Sequence, residues 1–168
     1  MVREPGEHAG ADADAAVTVT PGCVLAVRTA DCAPVVLIGQ QGVGVVHAGW
    51  RGVVAGVLPA AVEALRSLTG EDDVRACVGP CIRVGCYEFD GPERHELADH
   101  LGPGVLGTTT WGTPAMDLAA AVHLSLASAG VRDVEDDSGC TACDTRWFSY
   151  RARGDVARFA TTAWLAPC

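Results

Sequence analysis

Lysine is missing from this chain: all 12 basic residues are arginine. Beside a bias toward Ala, Gly and Val, that reads as GC-rich coding rather than a functional choice. The cations face 21 carboxylates, for a net charge of −9 and a pI near 4.8. Such a balance excludes a protein that tracks a nucleic-acid phosphate backbone. Long apolar runs are missing too, since no stretch approaches the roughly 18 residues of a membrane span. The acidic, polar opening MVREPGEHAGADADAA does not read as an apolar leader, so a reduced, cytoplasmic chain with no membrane contact is expected. No internal linker, repeat or low-complexity block divides the sequence. Residues 1–16 are expected as a mobile lead-in and 17–168 as one domain, long enough for a genuine core.

What is present supports packing: 49% of the residues are hydrophobic and 20% charged, which argues against disorder. In a reduced chain the eight cysteines are candidates for metal binding, catalysis or packing rather than disulfides. Cys23, Cys77 and Cys168 read as small packing or incidental thiols.

Short Val-rich runs at Cys23–Thr29, Pro34–Ile38 and Val43–His47 predict strands covered on both faces. Ala55, Leu58, Val62 and Leu65 recur at helical spacing and predict a helix over Arg51–Leu68, with Pro59 kinking it or delaying its start. Val74–Val78 reads as a strand, Pro92–Leu101 and Met116–Ala129 as helices, and Gly130 as a helix stop. Arg146–Tyr150 and Arg158–Leu165 are expected as closing strands. The fold class is therefore α/β, with mixed sheets sandwiched by helices.

Chemistry concentrates at Cys32, in TADCAPVVL, and His47, in VGVVHAGWRG. They lie at opposite ends of two apolar runs joined by a turn between Gly39 and Gly42, so a hairpin brings them together. A thiol facing an imidazole is either a catalytic dyad or two-thirds of a metal site. Asp31 is placed to orient His47 or accept a proton, and as a lone turn residue it also reads as a local cap. Gly49, Gly52 and Arg51 follow at a strand-to-helix turn, where backbone N–H groups and a guanidinium suit phosphate. If 146–150 is a strand, Ser149 and Arg151 share a face and can line the site.

A second cysteine group, Cys81 and Cys86 in GPCIRVGCYEF with Cys140 and Cys143 in CTACDTRWFSYR, has the donors for a four-thiolate zinc, although the spacing is loose. His8, His95, His100 and His123 read as surface or packing residues.

Taken in order, TADCAPVV, VVHAGWRG, GPCIRVGCYE and CTACDTRWFSYR resemble the multicopper polyphenol oxidase or laccase-domain family, whose members are described as purine nucleoside phosphorylases with adenosine deaminase activity and, in bacteria, as peptidoglycan editing factors. The likeness runs from about Ala11 to Leu165. It implies an α/β fold shared with a cysteine-hydrolase superfamily. It also implies purine nucleosides and phosphate as small-molecule partners, and a zinc (copper is the alternative) held by two histidines and one cysteine. Cys32 matches that cysteine and His47 one of the histidines.

The family's other histidine lies in a Gln-Val-His-Gly segment expected upstream of Met1. His8, the one histidine before Cys32, does not match that motif. The closing motif departs at Ala152, where a second Arg is usual, and at Ala157, where Gly is usual. Two other readings stand beside the zinc enzyme: a Cys-His hydrolase or deamidase, and an inactive truncated relative acting as a binding module. Phenol oxidation by several coppers ranks below these, for want of ligands.

Overall fold

The strands follow from short β-branched runs cut by glycine-bearing turns. A computed structural model describes residues 1–167, leaving Cys168 outside the described residues. In chain order the elements are β1 (Ala15–Thr18), β2 (Leu25–Thr29), β3 (Ala33–Ile38), β4 (Val43–Ala48), α1 (Trp50–Val54), α2 (Val57–Thr69), β5 (Arg75–Val78), α3 (Pro92–Leu101), β6 (Leu106–Thr108), β7 (Pro114–Met116), α4 (Leu118–Ser128), β8 (Val134–Asp136), α5 (Tyr150–Arg153) and β9 (Phe159–Ala163). Five strands make the main sheet in the order β1-β4-β3-β5-β8, with only β5 and β8 parallel. β2 and β9 form a separate antiparallel pair, and β6 and β7 a small hairpin.

The pleat of β3 and β4 sorts their side chains into two cores. Val35, Leu37 and Val46 meet Leu58, Val62 and Leu65 of α2 and Leu118, Val122 and Leu126 of α4. Val43, Val45 and Val36 meet Leu25 and Val27 of β2 and Ala163 of β9. The mixed α/β class is as expected, but helices cover only one face of the main sheet; the β2–β9 pair covers the other.

The helix expected over 51–68 is two helices. Gly56 takes φ 80°, a left-handed conformation that suits glycine, and separates α1 from α2. Pro59 then falls in the first turn of α2, where a backbone N–H has no helical partner to lose. α3 has its expected bounds, and α4 is capped by Asp117, whose carboxylate accepts from the Ala120 N–H at 2.9 Å. The strand expected over 146–150 does not form. That stretch is a turn leading into α5, because the Ser149 hydroxyl accepts from the Ala152 N–H at 3.1 Å and caps the helix.

The lead-in gives its last residues to β1, and Val2 is buried, its N–H donating to the Val17 carbonyl at 2.9 Å. No described helix is long and apolar enough to cross a membrane.

At the sheet edge, Asp136 accepts from both terminal nitrogens of Arg83 (3.1 and 2.5 Å) and bonds His123 at 2.9 Å. Burial pushes its carboxyl up, but these partners outweigh that and hold it below the ordinary carboxylate value. A depressed folded-state pKa means stability that is present above the unfolded value, near 4, and lost as pH falls through the folded one. Thermal melts between about pH 6 and pH 3 are therefore expected to drop more steeply for the parent than for Asp136→Asn; parallel curves would contradict the assignment.

Candidate functional site

The β3–β4 register sets Pro34 opposite His47 and Ala33 opposite Ala48. One step further it sets Cys32 opposite Gly49, so the thiol and the imidazole meet at the open end of the hairpin. A Cβ on Gly49 would lie 3.1 Å from Cys32 Sγ and 3.8 Å from His47 Nε2. Glycine thus clears the space where the two groups face each other. On the far side of the ring, His47 Nδ1 lies 2.8 Å from Asp14 Oδ1, and the His47 N–H donates to the Asp14 carbonyl at 2.7 Å. Asp14–His47–Cys32 is one line of side chains. The neighbouring Cys32 sulfur raises the imidazole pKa, partial burial opposes it and Asp14 adds to it, for a net value of about 9.

Asp31 has a different task from the one expected of it. Its Oδ1 accepts from the Thr141 and Ser149 hydroxyls, each at 2.7 Å, and its Oδ2 from the Arg151 N–H at 2.7 Å. Its carbonyl accepts from the Ile82 N–H at 2.9 Å. The carboxylate that orients His47 belongs to Asp14 instead. Asp31 also carries φ 91°, a conformation uncommon outside glycine. It is held there by joining four segments behind Cys32.

Ser149 is wholly buried, and its hydroxyl is taken by Asp31 and the helix cap. With no strand at 146–150, Ser149 and Arg151 do not share a strand face: Ser149 supports Asp31, while the Arg151 side chain is exposed. The Arg151 guanidinium lies 5.2 Å from the Tyr87 ring centre, and the Arg51 guanidinium 4.5 Å from that of Trp50. Between the two arginines, Trp50, Phe89 and Tyr87 pack edge to face at 5.4 and 5.5 Å. Burial, then the Cys32 thiol, pushes the Tyr87 phenol above its ordinary value, partly offset by Arg151. The site end of the sheet thus carries an aromatic row with a guanidinium at each end. His47 and Asp14 also border a cavity of about 780 Å³ between the lead-in and β2, which His8 lines as well.

Sequence reasoning missed Asp14, Tyr87 and Thr141. Asp14 sits in an acidic run with no periodicity, and only the β1–β4 pairing brings it to His47.

A zinc ion is what the resemblance implies for the Cys32–His47 couple. The chemistry fits: a thiolate and an imidazole nitrogen are zinc donors, and a carboxylate on the other ring nitrogen is the usual support of a metal-bound histidine. The couple supplies two donors. Among the described residues, the one group of three or more potential ligands lies elsewhere, at Cys86, Cys140 and Cys143. Three of the four thiols weighed for a four-thiolate zinc therefore converge. Cys81 stays apart, fully buried, its thiol pushed up to about 12 by desolvation.

Residues 1–166 match the model of the multi-copper polyphenol oxidoreductase laccase family. The chain belongs to this family. It is 43% identical over 164 residues to purine nucleoside phosphorylase ORF3 of Streptomyces griseus, covering 93% of this chain and 66% of that one. A purine nucleoside phosphorylase of Streptomyces coelicolor is 44% identical over 90% of this chain and 64% of its own. Among solved structures, YlmD of Geobacillus stearothermophilus superposes with a TM-score of 0.82 at 30% identity, over 92% of this chain and 61% of that one. Protein NMB0706 of Neisseria meningitidis does so with the same TM-score and identity, over 99% and 71%. The chain spans about two thirds of the length of the curated relatives it matches.

Proposed function

We propose that this chain catalyses the phosphorolysis of purine nucleosides, with loss of ammonia from adenosine as a second activity, at a centre that takes zinc. The observation that carries the reading is the Asp14–His47–Cys32 line at the mouth of the β3–β4 hairpin, in a family whose relatives are named purine nucleoside phosphorylases.

In phosphorolysis a phosphate oxygen bonds to ribose C1′ while the C1′–N9 bond breaks. Its electron pair passes into the purine, which takes up a proton and leaves ribose 1-phosphate behind. Each requirement has a candidate here. Arg51 and Arg151 are exposed guanidinium groups suited to the phosphate. The Trp50–Phe89–Tyr87 row offers an aromatic face for the base. Solvent can supply the proton, while the Tyr87 phenol, held neutral by burial beside Cys32, is a hydrogen-bond donor rather than an acid. Cys32 and His47 would hold zinc, which when bound supplies a Lewis acid and a water of lowered pKa. Asp14 fixes which ring nitrogen of His47 faces the thiol. In deamination, water adds at purine C6 and ammonia leaves.

The same line of side chains favours a second reading. Carboxylate, imidazole and thiol in that order are the parts of a thiol hydrolase or deamidase, with Cys32 as nucleophile and His47 as the base that takes the thiol proton and keeps it as an imidazolium, in line with its raised pKa. The discriminating experiment incubates the full chain with zinc and inosine, with and without phosphate, and in parallel with adenosine. Hypoxanthine with equimolar ribose 1-phosphate, dependent on phosphate, is the expected result, with inosine and ammonia from adenosine. Chelator-insensitive alkylation of Cys32 with no nucleoside product would support the hydrolase. A chain that forms no product and takes up no metal would be an inactive relative or binding module.

A further inference from the structure

Away from the Cys32–His47 couple, three thiols from two distant segments come together. Cys86 ends a short 3-10 turn, Val84–Cys86, while Cys140 and Cys143 lie in the loop after β8. All three sulfurs lie within 4.8 Å of one another, and Cys86 Sγ is 3.0 Å from Cys143 Sγ. We propose that Cys86, Cys140 and Cys143 form a second metal site, one that takes a thiolate-seeking divalent cation such as zinc through three sulfurs.

The local backbone is built for this. In the C-x-x-C turn the N–H groups of Cys143 and Asp144 both donate to the Cys140 carbonyl, at 3.2 and 3.0 Å, which turns the two sulfurs to the same side. The Arg83 N–H donates to Cys140 Sγ at 3.5 Å, which fixes the position of that sulfur. Sulfurs bound to one zinc at about 2.3 Å each lie at separations within the span found here. No fourth Cys, His, Asp or Glu joins the group among the described residues, and Cys143 is exposed. The remaining position opens to solvent and would be filled by water. Asp144 does not compete, since both its oxygens are held by Arg146 at 2.6 to 3.1 Å.

The consequence is structural. Thr141, inside the C-x-x-C turn, donates to Asp31, and Tyr87 follows Cys86 directly. A metal tying the 139–144 loop to the 83–87 turn would brace the support of Asp31 and the aromatic row at once.

The test is made in full-length Cys32→Ser, where the other zinc-binding couple has lost its sulfur. After equilibration with zinc and dialysis, one zinc per chain is expected, with three sulfurs at about 2.3 Å by X-ray absorption. Cobalt should give a strong thiolate charge-transfer band in the near ultraviolet. Adding Cys86→Ser and Cys143→Ser should abolish both signals while leaving the far-ultraviolet circular dichroism unchanged. No retained zinc in Cys32→Ser, zinc bound only through nitrogen and oxygen, or a Cys86–Cys143 disulfide in place of metal would each overturn the site. The absorption measurement needs no change at the three cysteines, so it decides the matter even if the triple variant fails to fold.

Discussion

Asp31→Gly is expected to lower the stability of the fold by on the order of 3 kcal/mol, although it relieves an unfavourable backbone conformation. At φ 91° glycine is the more comfortable residue, so local propensity alone predicts stabilisation. Against it stand the donors that converge on the carboxylate. Two hydroxyls and one backbone N–H, all at 2.7 Å, would lose their acceptor in a site that is only 7% exposed. Each unsatisfied buried group costs roughly 1–3 kcal/mol, reduced where water can enter. For a chain of this size the melting temperature should fall by about 6–12 °C. Asp31→Asn tolerates positive φ and keeps one acceptor oxygen, so its loss should be smaller. A glycine variant as stable as the parent would show that the backbone conformation, not the hydrogen bonds, dominates at this position.

The second large effect falls on turnover. His47→Ala removes the centre of the Asp14–His47–Cys32 line and is expected to lower phosphorolysis by about 10²–10⁴-fold. Asp14→Asn keeps the imidazole and its contact with Cys32 but removes the carboxylate that orients it. Loss of such a supporting partner is expected to cost about 10–100-fold in activity or metal affinity. The grading matters: His47→Ala should be far worse than Asp14→Asn, and both should melt within a few degrees of the parent, because His47 is half-buried and Asp14 exposed. Equal rates for Asp14→Asn and the parent would reduce that carboxylate to a surface ion pair.

Local patterns in the chain exposed some of this plan and hid the rest. β3 and β4 were legible because two β-branched runs flank a glycine-bearing turn, and their pairing follows from proximity in sequence. That pairing is what places Cys32 against His47. α3 was legible from Pro92 at its start and Gly102 beyond its end. The stretch 146–150 misled because three of its five residues, Trp147, Phe148 and Tyr150, are strand-favouring aromatics. What decides its shape is a serine bonded both to the third N–H after it and to an aspartate 118 residues away. Asp14 stayed hidden because its partner is 33 residues distant and nothing in an acidic run marks one carboxylate over its neighbours. The three-thiol cluster was half-legible: the C-x-x-C stood out, but which other cysteine completes it depends on how two loops are laid side by side.

The most direct measurement compares the parent with Cys32→Ser in the conversion of inosine and phosphate to hypoxanthine and ribose 1-phosphate, both proteins supplied with zinc and both shown to be folded. Product from the parent, and none above background from the variant, is the predicted result. Equal rates from the two would contradict the account, because the sulfur that the hairpin brings to His47 would then have no part in the reaction.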